Sequence, residues 1–396
     1  MAKISKISTC DSVWECPIFD ASGYANAARH ILLGLNEMEC VVRLNHFRNW
    51  SLLDIKMPQE EKIIFQKMMG RPLKGSVPCV MFKIPDAYDF QWGTQSTQIG
   101  FTMFEVDGIP AKWAGILNQC DEVWVPSTFN KTTFAKSGVE KSKIHVMPLG
   151  CDTEHFKPGV QEPIKIINKK GFNFLSVFQW SIRKGWDILL DAYLEEFSAK
   201  EDVALVLKTY EARPGDKECE NIIRDGIQSI KKMIGKKKDG FPTLLWYKDL
   251  IPEGQMPSLY EACDCFVLPT RGEGWNLPGI EAMSMELPVI TTRWSAHLDF
   301  MNDKNSYLID VEAVNDEHSG MMHRIHPGYY GYNWAKPSIP HTRLLMRHAF
   351  ENREEIAKVG KKARKDIVRN WTWNHACRKI RDRLCEVTCQ RNMEYR

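Results

Sequence analysis

The second half of the chain alternates short apolar segments with segments of helical periodicity. Segments rich in β-branched and aromatic residues predict strands at 172–178, 203–208, 243–247, 265–269, 288–292 and 306–310. Helical patterns lie between them near 185–198, 218–234, 255–263 and 278–286. This alternation is typical of βαβ units, so we expect a doubly wound parallel sheet that binds ligands at the carboxyl ends of its strands.

The first half repeats the alternation less regularly. It predicts strands at 40–44, 78–84, 99–104, 122–126 and 143–148, and helices near 24–37, 110–119 and 128–137. A chain of 396 residues exceeds the roughly 250–300 residues that one core supports, so we expect two domains. The turn-rich segment 148–152 and the polar segment 157–170 place the linker, which predicts domains at 1–160 and 161–373. The segment 354–389 is helical in pattern, and 327–340 is expected to be a long loop.

Charge and composition exclude several classes of protein. The net charge of +3 is small for this length, and the basic residues form no stripe of the kind that binds nucleic acid. The one basic run, 231–238, is expected to be a solvated helix end, with a peripheral contact to an anionic membrane as the alternative. No stretch of 18 apolar residues occurs, which argues against a membrane-spanning segment.

The chain has twelve cysteines without a repeated spacing. This pattern does not indicate a disulfide framework, and the single residue between Cys263 and Cys265 does not fit the usual zinc spacing. We therefore expect buried free thiols in a reducing compartment, and a cytoplasmic protein that works in solution or at the membrane surface.

The densest signal is the loop and helix start that follow the strand predicted at 265–269. Pro278 suits the first position of a helix, and Gly272 allows backbone N–H groups to approach a ligand closely. Because a helix N-terminus favours negative charge, a diphosphate is expected beside it. The predicted binding residues of this loop are Gly274, Trp275, Asn276 and Leu277.

Two carboxylates belong to the same segment. Seven residues separate Glu273 from Glu281. A carboxylate beside a diphosphate repels it unless it faces another group, and sugar hydroxyls would suit Glu273. Glu281, about one turn into the helix, is placed to accept two hydrogen bonds from a ribose diol. Two ordinary surface glutamates at a loop and a helix cap are the alternative.

The block 269–290 resembles the donor-binding motif of family 4 retaining glycosyltransferases of the GT-B fold. Further segments resemble this family in the same order, at 22–29, 104–110, 121–127, 146–158 and 178–185. The resemblance implies an α/β protein of two Rossmann-like doubly wound domains that face each other across a cleft. The first would bind the acceptor and the second the nucleotide-sugar donor, and a last helix, 374–396, would cross back to the first domain.

The resemblance also implies roles for charged residues at strand ends. Arg183 and Lys184 would hold the donor diphosphate, whose negative charge grows in the transition state. Glu105 would contact a hydroxyl of the donor sugar or assist the acceptor, with a turn-forming role as the alternative.

Three further residues would border the substrates. Gly23 and Tyr24 would form the first glycine-rich loop, for which an ordinary helix start is the alternative. Tyr247 would lie beside the nucleotide base. No Asp-x-Asp motif occurs in the chain, so basic residues and a helix N-terminus would replace a metal ion, and no cofactor is expected besides the sugar nucleotide.

The expected activity is transfer of a hexose-type sugar, with retention of configuration, to a glycan, lipid-linked or protein acceptor. A Rossmann dehydrogenase would need a Gly-x-Gly-x-x-Gly motif that is absent. An epimerase would lack this pair of glutamates, and a phosphorylase would need a pyridoxal lysine. A catalytically silent sugar-nucleotide-binding or scaffold protein of the same fold remains the alternative.

Overall fold

The structure is a computed structural model that describes residues 10–47, 55, 57–73, 76–90, 96–210, 216–235, 237–248, 251–315 and 326–394. The strands are β1 Ser12–Cys16, β2 Val42–His46, β3 Cys79–Phe82, β4 Gln98–Phe101, β5 Glu122–Val125, β6 Ile144–Val146, β7 Phe172–Gln179, β8 Val203–Tyr210, β9 Thr243–Tyr247, β10 Cys265–Leu268, β11 Val289–Thr292, β12 Tyr307–Ile309, β13 Val311–Asn315 and β14 Trp334–Pro337.

The helices are α1 Gly23–Glu37, α2 Gln59–Met69, α3 Ala111–Leu117, α4 Thr128–Lys136, α5 Trp186–Glu196, α6 Lys217–Ile234, α7 Met256–Glu261, α8 Leu277–Ser284, α9 Ile339–Glu351, α10 Arg353–Asn370 and α11 Trp373–Glu394. Short 3₁₀ turns lie between several of them. Among the described residues, no helix is both long and apolar enough to cross a membrane.

The chain divides into two compact units. Unit 1 comprises 1–104, 109–150 and 372–396, and unit 2 comprises 105–108 and 151–371. Each is built on a six-stranded sheet, of order β2-β1-β3-β4-β5-β6 in unit 1 and β12-β11-β10-β7-β8-β9 in unit 2. All pairs in both sheets are parallel. The two Rossmann-like parallel sheets that the sequence predicts are therefore confirmed.

Continuous apolar runs explain why these segments become central strands. Parallel sheets are covered by helices on both faces, so their strands must be apolar on both sides. Every residue of β3, β10 and β11 is buried, and β8 is buried except at its last residue. All six strands predicted in the second half are present, each within two residues of its expected ends.

The last helix, α11, belongs to unit 1. The ring of Trp373 in α11 stacks on the ring of His30 in α1, with centroids 4.8 Å apart. The guanidinium of Arg383 in α11 forms an ion pair with the carboxylate of Glu122 in β5 at 2.5 Å. Gly150 lies so close to the backbone of Trp373 that a Cβ would overlap it. The chain leaves unit 1 after Gly150 and returns to it at residue 372. The close approach of the two backbones therefore holds these two points side by side.

Several predictions about elements were wrong. The sequence interpretation missed β1 and α2, and it treated 327–340 as a long loop, whereas this segment contains a 3₁₀ turn, β14 and the start of α9. The strand β14 pairs with β13 in a small antiparallel sheet. The charged segment predicted to be helical, 354–389, contains two helices, α10 and α11, and α11 begins one residue before the last helix predicted at 374–396.

The prediction that the cysteines are all free thiols was wrong for one pair. Cys10 and Cys40, which lie just before β1 and β2, form a disulfide. The ends of adjacent parallel strands bring their Cα atoms to 5.3 Å, within the range that a disulfide spans. The other ten cysteines are free, and burial raises the pKa of the Cys263 and Cys265 thiols.

Candidate functional site

The strand order of unit 2 reverses between β7 and β10. From β7 the chain proceeds to β8 and β9 on one side, and β10 begins the other side. At such a switch point, the loops that follow the two strands separate and leave a crevice at the carboxyl edge of the sheet. We name these loops the cation loop, Ile182–Gly185, and the glutamate loop, Pro269–Asn276.

The cation loop is a single 3₁₀ turn that ends in a left-handed glycine. Gly185 has φ 68° and ψ 31°, and α5 begins at the next residue. A Cβ at Gly185 would overlap the carbonyl oxygen of Pro269. Glycine is therefore required here for its conformation and for the close approach of the two loops.

The two loops are joined by a buried cluster of charges. The Lys184 ammonium donates to both carboxylate oxygens of Glu273, at 2.7 and 2.8 Å. Arg183 lies 3.4 Å from the same carboxylate and donates to the carbonyl of Gly272 at 2.8 Å. The hydroxyl of Thr270 donates to Glu273 at 2.9 Å. Because the side chain of Glu273 is only 5% exposed, these contacts take the place of water.

The surrounding cations set the ionisation of Glu273. Burial alone would raise the pKa of its carboxyl group, but Lys184, Arg183 and the hydrogen bonds from Lys184 and Thr270 outweigh burial and lower the pKa to about 2. Burial and the neighbouring guanidinium lower the pKa of Lys184, against the attraction of Glu273. Glu273 is therefore a carboxylate throughout the neutral range.

Glu105 joins this cluster from a segment that groups with unit 2. Its carboxylate accepts a hydrogen bond from the Tyr329 hydroxyl at 2.8 Å and lies 3.6 Å from Arg183. Asn333 holds the segment through the carboxylate of Asp107, donating its backbone N–H at 2.9 Å and its side-chain amide at 2.8 Å. The structure thus brings together four predicted residues, two cations and two carboxylates.

Gly272 has a use that the sequence interpretation did not anticipate. A Cβ at this position would overlap the carbonyl oxygen of Glu105 and press on the ring of Trp294. The missing side chain therefore makes room for the segment 105–108.

The rest of the glutamate loop leads into α8. Asn276 has φ 78° and caps the helix, its side-chain oxygen accepting from the N–H of Gly279 at 3.1 Å. Leu277 is the first helical residue, and Gly274 is buried. Trp275 is 2% exposed and packs on Phe300 and Trp371, with ring centroids 5.0 and 5.7 Å away, so its indole is part of the core.

Glu281 has a partner that the sequence interpretation did not identify. The hydroxyl of Tyr260 in α7 donates to the Glu281 carboxylate at 2.8 Å. Tyr260 is fully buried, and burial, followed by the charge of Glu281, raises the pKa of its hydroxyl group. This hydroxyl is therefore a fixed donor that orients one carboxylate oxygen of Glu281.

The remaining predicted residues lie elsewhere. Tyr247 is the last residue of β9, and its ring lies 5.9 Å from the ammonium of Lys208. Gly23 and Tyr24 belong to unit 1, where the Tyr24 hydroxyl lies 2.9 Å from that of Thr102. A side chain at Gly23 would meet no atom within 4 Å, so neither packing nor backbone conformation requires glycine there. The roles of all these residues stay predictions.

The sequence interpretation missed the residues that support the cluster. The Thr270 hydroxyl donates to the carboxylate of Glu273, and the backbone N–H of Glu273 donates to the Ser295 hydroxyl at 3.0 Å. Tyr329 lies in a segment in which no motif was recognised. Of these three residues, only Thr270 had a local signal in the sequence, because it lies three positions before Glu273. Among the described residues, no group of three or more His, Cys, Asp or Glu side chains could hold a metal ion.

One family model matches a large part of unit 2. The model of the family "Glycosyl transferases group 1" matches residues 169–323, which include the cation loop, the glutamate loop and Glu281.

Two curated relatives match parts of the chain. Mannosylfructose-phosphate synthase of Agrobacterium fabrum is 24% identical over 160 residues, 39% of this chain and 34% of that protein. A GDP-mannose-dependent α-(1-6)-phosphatidylinositol monomannoside mannosyltransferase of Mycolicibacterium smegmatis is 22% identical over 263 residues, 61% of this chain and 64% of that protein. Each match thus spans less than two thirds of the relative.

A solved structure is similar over nearly the whole chain. HepE of Anabaena, determined in complex with UDP-glucose, aligns with a TM-score of 0.63 and 12% identity over 96% of this chain and 99% of that one. At this identity the likeness shows the fold alone. The protein is therefore of the GT-B fold, built from two Rossmann-like units. Residues 169–323 of unit 2 match the model of the group 1 glycosyltransferases.

Proposed function

We propose that the protein is a retaining, metal-independent glycosyltransferase that moves a hexose-type sugar from a nucleoside diphosphate sugar to a glycan, lipid-linked or protein acceptor. The carrying observation is the buried cluster of Lys184, Arg183 and Glu273 at the switch point of unit 2, within the family match. The UDP-glucose in the solved HepE structure supports a sugar nucleotide as the donor.

The charges of the cluster suit a departing diphosphate. Lys184 and Arg183 bind its oxygens, which gain charge as the bond to the anomeric carbon breaks. The acceptor hydroxyl attacks that carbon from the face of the leaving group, and its proton passes to the departing phosphate oxygen. The products are the new glycoside and the nucleoside diphosphate. The chain contributes orientation and fixed charge, with no covalent intermediate.

Glu273 changes partners in this proposal. In the structure it neutralises Lys184, so the donor diphosphate competes with it for the ammonium. Once displaced, the carboxylate accepts hydrogen bonds from hydroxyls of the donor sugar. Glu281 accepts from the ribose diol, with the Tyr260 hydroxyl fixing its orientation.

Donor turnover tests this proposal. The protein is incubated with UDP-glucose, UDP-galactose, GDP-mannose and ADP-glucose, with and without EDTA, and release of the nucleoside diphosphate is measured. We expect slow release from one nucleotide series, insensitive to EDTA and lost in Lys184→Ala. It should be unchanged in Lys304→Ala, an exposed lysine of the same unit.

Three outcomes would contradict parts of the proposal. Nucleotide binding without turnover of any donor would favour the catalytically silent reading of the fold. Loss of turnover in EDTA would overturn metal independence. A β-linked product from an α-linked donor, seen by NMR once an acceptor is found, would overturn retention.

A further inference from the structure

Arg271 is a buried arginine of the glutamate loop whose side chain reaches the cation loop. It is 3% exposed. Its guanidinium donates to both carboxylate oxygens of Asp187 in α5, at 2.8 and 2.7 Å, and to the carbonyl of Ile182 at 2.6 Å. The bidentate pair fixes the guanidinium plane, and the third bond fastens that plane to the first residue of the cation loop.

The backbone of Arg271 makes further connections. Its N–H donates to the carbonyl of Arg183 at 2.7 Å, and its own carbonyl accepts from the N–H of Ala335 at 3.1 Å. Arg271 thus links the glutamate loop to the cation loop, to the start of α5 and to β14.

These contacts differ in kind from the ion pairs between the two loops. The ion pairs of Lys184 and Arg183 with Glu273 use the side chains that the proposed function reassigns to the donor. They must loosen when the diphosphate binds. The side-chain contacts of Arg271 described above use Asp187 and the carbonyl of Ile182, which the proposed function does not assign to the donor.

We propose that Arg271 is a positioning residue that keeps Arg183 and Lys184 directed at the donor diphosphate, through Asp187 and the carbonyl of Ile182. This inference rests on the proposed function. A flexible cation would have to be ordered on binding, whereas a clamped one is already in place. Lysine cannot substitute fully, because one ammonium does not reproduce the planar fork that holds two carboxylate oxygens.

The test compares a nucleoside diphosphate with its own nucleoside, because only the diphosphate contacts the cations. The dissociation constants of UDP, GDP and ADP, and of uridine, guanosine and adenosine, are measured by calorimetry for the whole chain. For the base that wild type binds, Arg271→Met should weaken binding of the nucleoside diphosphate about tenfold or more and leave the affinity for the nucleoside nearly unchanged. Arg271→Lys should restore part of the loss.

Two variants keep the test decisive. Asp187→Asn removes the negative charge that binds Arg271, at a side chain that is 24% exposed, and should also lower the preference for the diphosphate over the nucleoside. Arg347→Met is the matched control, because Arg347 also binds a carboxylate of α5, Glu196, but at the opposite end of that helix. It should lower stability and leave the diphosphate preference unchanged.

The outcomes separate the inference from the proposed function. An equal loss for nucleoside and diphosphate in Arg271→Met and Asp187→Asn, or no loss in either, would overturn the positioning role while leaving donor binding intact. If wild type binds no nucleoside diphosphate, the proposed function itself fails, and the inference fails with it.

Discussion

The ammonium of Lys184 and the carboxylate of Glu273 are bound to each other in the structure, with both carboxylate oxygens within 2.8 Å of the nitrogen. Together with Arg183 and Glu105 they form a cluster of two positive and two negative groups. A diphosphate that enters such a cluster must take over the cations from the carboxylates. This exchange makes the affinity of the site depend on groups that oppose binding as well as on those that favour it.

Glu273→Gln removes a carboxylate that opposes binding of the diphosphate. Removing the carboxylate frees Lys184, so UDP, GDP or ADP should bind several-fold more tightly, by roughly 1 kcal/mol. Turnover should fall about 100-fold or more, since the hydroxyls of the sugar lose a charged acceptor. Calorimetry and a coupled assay for nucleoside diphosphate release measure the two effects, with Glu312→Gln, an exposed glutamate of unit 2, as control. Weaker nucleotide binding in Glu273→Gln would contradict the competition.

Tyr260→Phe should weaken binding of ribonucleotides specifically. Without the hydroxyl that orients Glu281, the carboxylate holds the ribose diol less well, and affinity should fall about fivefold, the cost of roughly one hydrogen bond. The 2′-deoxy nucleotide should lose little. Tyr193→Phe is a matched control, because the buried Tyr193 hydroxyl also donates a hydrogen bond in unit 2, to the carbonyl of Thr243 at 2.7 Å. An equal loss of affinity for the ribo- and deoxyribonucleotide would show that Tyr260 does not act through the ribose diol.

Gly185→Ala should be far more damaging than Gly159→Ala. Both glycines have positive φ, 68° and 73°, so alanine strains the backbone at each by roughly 1 kcal/mol. Only at Gly185 would the new Cβ also overlap a backbone atom, the carbonyl oxygen of Pro269. We expect Gly185→Ala to lower the thermal midpoint clearly more than Gly159→Ala does. Gly185→Ala should also abolish nucleotide binding, whereas Gly159→Ala should retain it. Similar midpoints for the two variants would mean that the loops do not approach as closely as described.

Acid should erase the stabilising effect of Glu273. Its pKa is lowered to about 2, whereas an ordinary glutamate has a pKa of 4.5, so the folded state favours the carboxylate. The stabilisation is fully present above about pH 4.5 and is lost as the pH falls towards 2. The difference in thermal midpoint between wild type and Glu273→Gln should therefore shrink over this range. A difference that stays constant from pH 7 to pH 3 would contradict the depressed pKa.

Local sequence signals predicted the parts of the fold and site that neighbouring residues determine. The strands of unit 2 were evident because a parallel sheet requires continuous apolar runs such as 265–268. Lys184 was identified through the resemblance to a known family, and Glu273 through the loop and helix start that follow a predicted strand. Both residues lie where parallel strands end at one edge of the sheet. The bond between the two was not predictable, since it joins loops 89 residues apart in the sequence.

Long-range contacts account for most of what the sequence did not reveal. The pairing of Tyr329 with Glu105 spans 224 residues, and Tyr329 lies in the segment that was predicted to be a loop. The strand β1 was missed because its five residues include Ser12 and Glu15, which interrupt the apolar run, although all five are buried. Cys10 and Cys40 gave no spacing signal, because only the pairing of β1 with β2 brings them together.

The central claim is that the cation loop of unit 2 binds the diphosphate of a sugar nucleotide, and calorimetric titration with UDP, GDP and ADP tests it most directly. Wild type, Lys184→Met and the control Lys304→Met are compared. We expect one nucleotide to bind wild type and Lys304→Met equally and to bind Lys184→Met at least about tenfold more weakly. Equal affinity in Lys184→Met, or no binding of any of the three to wild type, would contradict the claim.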